Sequence, residues 1–235
     1  MDQHAKTAAT TEAGGSQALP RGFRGLVADW SGDRRAFQIS WGKAMMWIFL
    51  LSDSFVFGSL ITSYMAARMS TTVPWPDTGE VFALNIGGAN IPLILIAIMT
   101  FILISSSGTM AIAVNFAYRR QRAKTALFLI LTALLGATFV GMQAFEWTKL
   151  IVSEGVRPWG NPMGAAQFGS SFFMITGFHG LHVTAGVIFL SITAAQALMG
   201  VFDRTNNYQR VEIAGLYWHF VDLVWVFIFP FFYLW

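Results

Sequence analysis

The sequence predicts an all-α integral membrane protein: a bundle of five transmembrane helices, with the N-terminus in the cytoplasm and the C-terminus outside. Three observations lead there. Of the 235 residues, 55% are hydrophobic and only 11% are charged, whereas a soluble globular domain carries about 25% charged residues. Five stretches reach the roughly 20 apolar residues that a helix needs to cross about 30 Å of hydrocarbon. The basic residues fall in alternate connectors: six lie before residue 44, four between 119 and 124, and two between 204 and 210, twelve of the 15 in all. Cytoplasmic segments carry that excess.

Residues 1–40 read as a polar cytoplasmic tail rich in Ala, Thr, Gly and Ser. The tail has no apolar core before Trp41, so it does not read as a cleavable signal peptide. As far as Pro20 its composition is that of a mobile segment. Residues 41–235 form the transmembrane domain. Its helices are expected at 42–67, 90–118, 124–150, 168–201 and 211–234. The first holds Asp53 and the second no charge. The third holds Glu146, the fourth His179 and His182, and the fifth His219 and Asp222. Backbone groups in hydrocarbon must be satisfied within the segment, and these runs are too long and uniform for barrel strands. Two connectors, Val73-Pro74-Trp75-Pro76 and Arg157-Pro158-Trp159-Gly160-Asn161-Pro162, read as ordered turns at the membrane interface. No internal repeat points to an inverted-repeat transporter.

Composition also excludes several chemistries. Cysteine is absent, which rules out disulfides, thiolate metal sites, c-type haem attachment and Cys-ligated copper. A net charge of +3 does not point to a nucleic-acid partner.

The ionisable groups within the spans carry the rest of the reading. An isolated charge at the bilayer centre costs about 2.5 kcal/mol or more. Asp53 lies about 15 Å along its helix from Lys43, and the His179/His182 and His219/Asp222 pairs fall at similar depth. Positions three apart share a helix face. Each pair fits either a helix-to-helix hydrogen bond or a chemical role. Gly177, Gly180 and Gly186 flank the first pair and permit close helix approach. Asp53 has no basic neighbour on its own helix, so it is protonated, paired with another helix or reached by water, and proton handling is one reading. Glu146, with Gln143 one turn before it, reads as a packing or interfacial group. Of four histidines, His4 lies in the tail. Three imidazoles are too few for a copper–haem centre, whereas one bis-His haem using His219 and one of the pair is compatible with the sequence.

Several blocks together carry a family resemblance. Gly177-Phe178-His179-Gly180-Leu181-His182-Val183 followed by Gly186, and Tyr217-Trp218-His219-Phe220-Val221-Asp222-Leu223-Val224-Trp225, resemble the signature helices of haem–copper oxidase subunit III. Gly141-Met142-Gln143-Ala144-Phe145-Glu146-Trp147, Ser105-Ser106-Ser107-Gly108-Thr109 and Trp47-Ile48-Phe49-Leu50-Leu51-Ser52-Asp53 are similar to its other blocks, in the family order from Gly42 to Trp235.

The resemblance implies a non-catalytic core subunit of a bacterial terminal oxidase in the inner membrane, a complex that reduces dioxygen to water and pumps protons. It implies no redox centre or metal in this chain, with haem and copper in partner subunits. The implied partners are catalytic subunit I, subunit II and a small subunit IV. The implied roles are stabilising the catalytic subunit, binding phospholipid and supporting proton uptake. The family usually has a buried, carbodiimide-reactive Glu where this chain has Asp53. Many members have seven helices and a V-shaped lipid cleft; this chain resembles the five-helix form. Basic residues that hold lipid phosphates are reduced here to Arg204, with Gln196, Met199 and Val201 nearby. Trp218, Trp225 and Arg204 are the candidates for lipid contact. The intramembrane polar network comprises His179, His182, His219, Asp222, Gln143 and Glu146. The rival readings are a subunit III-like companion of a nitric oxide reductase and a haem-binding membrane anchor.

Overall fold

A computed structural model describes residues 40–86, 89–91, 93–162, 164–205 and 207–234, and the side chains of Glu80 and of residues 84–92 lie outside the description. The expected cytoplasmic tail falls, apart from Ser40, outside the described residues. Five helices are long and apolar enough to cross a membrane. They are α1 (Trp41–Ser70), α2 (Ile94–Tyr118), α3 (Arg122–Val152), α4 (Ala166–Leu198) and α5 (Gln209–Phe229). Even the 25 residues of α2 give about 38 Å of helix at 1.5 Å per residue, more than the hydrocarbon thickness.

The second helix is shorter than the sequence reading had it. Leu84–Ile86 and Ala89–Ile91 form an antiparallel hairpin, Leu84 opposite Ile91, and α2 begins only at Ile94. The apolar run hides two breakers. Pro92 has no N–H and drives the residue before it toward extended backbone, and Leu93 takes a left-handed conformation at φ 58°. The intervening Gly87-Gly88 is a hairpin signal that hydropathy overrides. The fourth helix stops at Leu198 rather than 201, because Gly200 turns the chain at φ +70° into a short helix, Val201–Thr205. The fifth ends as a π-helical turn, Pro230–Leu234, where proline removes one rung of the i→i−4 ladder.

In the Gly42–Trp235 unit, α3 packs on α2 and α4, and α5 packs on the same two, which closes a four-helix ring. Its interior is organised around Trp218, which is 0% exposed. The indole lies between Gly136 of α3 and Gly186 of α4. A Cβ on Gly136 would stand 2.3 Å from its Cη2, and one on Gly186 would stand 2.9 Å from its Cζ3. Its Nε1 donates to Ser106 Oγ of α2 at 2.9 Å. Four helices therefore meet on one side chain. The glycines flanking the two histidines of α4 receive side chains rather than a neighbouring backbone: Gly177 faces Trp147, and Gly180 faces Gln143.

α1 stands beside this ring and reaches it through long side chains. Phe57 meets Phe178 at 5.1 Å between ring centroids, and Tyr64 meets Phe232 at 4.0 Å. Its other face is open, with Leu51 61% and Phe55 71% exposed. Two grooves flank it. One of about 370 Å³ lies against α5, lined by Phe57, Gly58, Ile61, Leu223 and Phe227. Another of about 410 Å³ lies against α4, lined by Leu60, Ser63, Tyr64, Ser170 and Met174.

Candidate functional site

The polar groups expected at one depth divide into two clusters. In the first, α1 supplies Asp53, 8% exposed, and α4 supplies His182. His182 Nε2 lies 2.8 Å from Asp53 Oδ2, and His182 Nδ1 lies 2.8 Å from the Phe178 carbonyl oxygen. A carbonyl only accepts, so Nδ1 carries a proton. Nε2 then faces the carboxylate as an N–H, or takes the proton of a carboxyl. In either arrangement the pair is neutral overall and places no net charge in hydrocarbon. The shorter Asp53 side chain thus reaches its partner without a glutamate's extra methylene. Tyr217 of α5 donates to the His182 carbonyl oxygen at 2.9 Å and ties a third helix to the site.

His179, three residues earlier, does not join this pair. It is 0% exposed and stacks on Trp225 at 5.2 Å, with Phe139 edge-on at 5.8 Å. Neither ring nitrogen has a hydrogen bond. Residues three apart on a helix differ by about 60° in direction, enough here to send one imidazole into the ring interior and the other toward α1.

The second cluster joins α2 to α5. Ser107 Oγ lies 2.7 Å from His219 Nδ1. Asp222, 7% exposed, has no hydrogen bond of normal geometry to either carboxylate oxygen. Alongside, Trp225 Nε1 donates to Thr100 Oγ1 at 3.0 Å. Trp218 and Trp225 are 0% and 1% exposed, which corrects their reading as lipid contacts. Their N–H groups find hydroxyls on α2, so nothing drives them to a headgroup interface. Arg204 stays exposed on the short helix after α4.

Gln143 and Glu146 tie α3 to its surroundings. Gln143 Nε2 donates to the Thr176 carbonyl oxygen of α4 at 2.7 Å. Glu146 is 3% exposed and accepts from the Tyr233 hydroxyl at 3.2 Å, so it is a packing group and not an interfacial one. The Lys149 amine, one turn on, donates to the Ala83 carbonyl oxygen.

Sequence reasoning missed the contacts at the opposite, basic end of the bundle. Lys43 Nζ of α1 lies 2.7 Å from Glu212 Oε1 of α5, and the Tyr118 hydroxyl of α2 donates to the same oxygen. A lysine opening the first span and a glutamate opening the fifth, which runs parallel to it and so starts at the same end, was the available signal. In the nearby connector, the Tyr208 hydroxyl donates to the Asp203 carboxylate. Burial and that carboxylate push the phenol up to about 12, so the bond persists throughout the physiological pH range.

Among the described residues, no three His, Cys, Asp or Glu side chains converge as a metal ion would require. The chemistry open to these clusters is hydrogen bonding and proton sharing between helices.

The family model for cytochrome c oxidase subunit III matches residues 25–235. Among curated relatives, a probable quinol oxidase subunit 3 of Staphylococcus saprophyticus is 32% identical over 197 residues, 84% of this chain and 90% of the relative. A probable quinol oxidase subunit 3 of Staphylococcus aureus strain USA300 is 35% identical over 198 residues, with the same shares covered. The chain is a multi-pass membrane protein and belongs to the cytochrome c oxidase subunit III family.

Proposed function

We propose that this chain is a redox-inactive core subunit of a bacterial haem–copper terminal oxidase, held in the inner membrane beside catalytic subunit I and subunit II, with a small subunit IV as a further partner. The complex reduces dioxygen to water and pumps protons; its haem and copper belong to the partner subunits. The observation that carries this reading is the family match along residues 25–235. The disposition of polar groups supports it: Asp53, His182 and His219 engage neighbouring helices of the same chain. The names of the relatives favour quinol as the electron donor.

In this reading the basic end of the bundle faces the cytoplasm, and the chain stabilises the catalytic subunit and keeps proton uptake competent during turnover. The two grooves beside α1 support phospholipid binding, since each is apolar along most of its wall and open to the bilayer. Arg204 is the remaining candidate for a headgroup contact.

The test is purification through a tag on this chain in mild detergent, followed by mass spectrometry, a haem spectrum and turnover assays before and after the chain is stripped away. The expected result is a co-purifying oxidase whose haem spectrum survives removal of the chain while its activity decays during turnover. Loss of the haem–copper centre on removal would overturn a purely supportive role.

A further inference from the structure

Polar groups at hydrocarbon depth need partners, because lipid supplies none. One such group in this chain points outward. The outer stripe of α5 runs from the half-buried Leu216 and His219 to the exposed Leu223, Val226 and Phe227. Leu223, Val226 and Phe227 are 54%, 48% and 52% exposed, so His219 is a polar interruption of an apolar face. It stands about 15 Å along the axis from Gln209, near the middle of the bilayer.

The cluster behind it does not satisfy itself. Ser107 Oγ has one proton to give and two claimants, His219 Nδ1 at 2.7 Å and the nearby carboxyl group of Asp222, which finds no hydrogen bond of normal geometry. If the proton goes to Nδ1, the other ring nitrogen is an outward N–H. If it goes to Asp222, Nδ1–H donates to Ser107 and the other ring nitrogen is a bare acceptor. In both arrangements a hydrogen-bonding valence is left at that outward nitrogen, and among the described residues no side chain meets it. The adjoining surface of α2 admits close approach. Gly108 and Ala111 are exposed, and a Cβ on Gly108 would meet nothing within 4 Å. Small residues on a membrane helix let another helix come near.

The geometry points to this α2–α5 face as the docking surface for a transmembrane helix of a neighbouring oxidase subunit, one that brings a hydroxyl or carboxamide side chain to the depth of His219. Either group gives or accepts a hydrogen bond as the imidazole tautomer requires; an acyl chain does neither. The inference rests on the reading of the chain as an oxidase subunit.

Photo-crosslinking in membranes that hold the intact complex tests it. Leu223→p-benzoylphenylalanine and Ile104→p-benzoylphenylalanine report on the face. Leu134→p-benzoylphenylalanine, 60% exposed on α3 across the ring from α5, is the control. The first two are expected to form adducts with another oxidase subunit and the control with lipid alone. Lipid adducts alone from Leu223 and Ile104, adducts with a second copy of this chain, or equal subunit adducts at all three positions overturn the docking face. A tag on the chain reports co-purification in the same preparations. Absence of any oxidase subunit removes the functional reading and this face with it. His219→Leu is expected to lower recovery of the partner several-fold with the chain itself at its normal membrane level, and His219→Gln to restore it. Unchanged recovery in His219→Leu refutes a role for the imidazole.

Discussion

Replacing Gly136 by Ala inserts one methyl group into the slot that holds Trp218. The new Cβ would stand 2.3 Å from Cη2 and 2.9 Å from Cζ2 of the indole, and 2.8 Å from Cγ2 of Val187. Ordinary carbon contact begins near 3.5 Å, so the overlap exceeds an ångström. The ring has nowhere to retreat. Gly186 closes its other side, at a spacing where even a Cβ would be too close, and Ser106 Oγ holds its Nε1 at 2.9 Å. Overpacking of this kind costs about 1–3 kcal/mol. Alanine's better helix propensity offsets at most about 1 kcal/mol of that. The expected net loss is of order 1–2 kcal/mol, read as a lowered thermal midpoint of the detergent-solubilised protein. Gly141→Ala, where a Cβ meets nothing within 4 Å, is the control and should match or slightly exceed the parent. Trp218→Phe removes the clashing atoms but leaves a void and strips Ser106 of its donor, with a cost of about 2–3 kcal/mol. Combined with Gly136→Ala it should cost less than the sum, with a coupling of about 0.5–3 kcal/mol. A Gly136→Ala midpoint equal to that of Gly141→Ala, or strict additivity in the double variant, would refute the account of Trp218 as the shared centre of the four helices.

Three further outcomes follow from the same contacts. Asp53→Asn should assemble, because a carboxamide N–H can donate to His182 Nε2 and the pair stays neutral, whereas Asp53→Lys sets a cation against His182 and should abolish accumulation in the membrane; normal levels of the Lys variant on an immunoblot would show that the site is not buried. Reversing the Lys43–Glu212 pair as Lys43→Glu with Glu212→Lys should recover the 0.2–1 kcal/mol of stability typical of a partly exposed ion pair that either single variant loses; a double variant no better than the singles denies the pair a role. Tyr233→Phe leaves the Glu146 carboxyl without its hydrogen bond in a fully packed setting and should cost about 1–3 kcal/mol, checked by thermal unfolding beside Tyr118→Phe at the more exposed, basic end, which should cost less.

The spans were legible because a helix that crosses hydrocarbon needs an unbroken apolar run, and hydropathy measures that directly. The same measure misled at residue 90, where the apolar run reads as helix although Ala89–Ile91 is a strand, Leu93 turns left-handed and α2 begins only at Ile94. Side-chain direction was harder to read. The i, i+3 spacing of His179 and His182 promised one face, yet the 60° between them sends one ring onto Trp225 and the other onto Asp53. The family resemblance suggested lipid contacts for Trp218 and Trp225. The hydroxyls that hold those indoles inside, Ser106 and Thr100, lie on another helix more than a hundred residues away, and no local pattern announces a partner at that separation. Asp53 left three options open in sequence; its pairing with His182 needed the relative position of α1 and α4 to choose among them.

That position raises the question of what holds α1 at all. Apolar area drives little association inside a bilayer, since lipid solvates a leucine as well as another helix does. α2 to α5 answer with shape: Gly136, Gly177, Gly180 and Gly186 each accept a large side chain from a neighbour. α1 has no such slot in its middle, where a Cβ on Gly58 would meet nothing, and grooves run along both its sides. It is fastened instead at three heights: Lys43 to Glu212 at the basic end, Asp53 to His182 in the middle, and Tyr64 to Phe232 and Trp75 beyond. The intervals are ten and eleven residues, or about 15 and 16 Å of helix. Loss of either end contact still leaves two points to fix the helix direction. Loss of the central pair leaves the middle to the Phe57–Phe178 contact beside the groove against α5, whereas the groove against α4 lies at the height of Tyr64. Asp53 and His182 therefore hold α1 at the height of the groove against α5, a geometric role independent of any movement of protons.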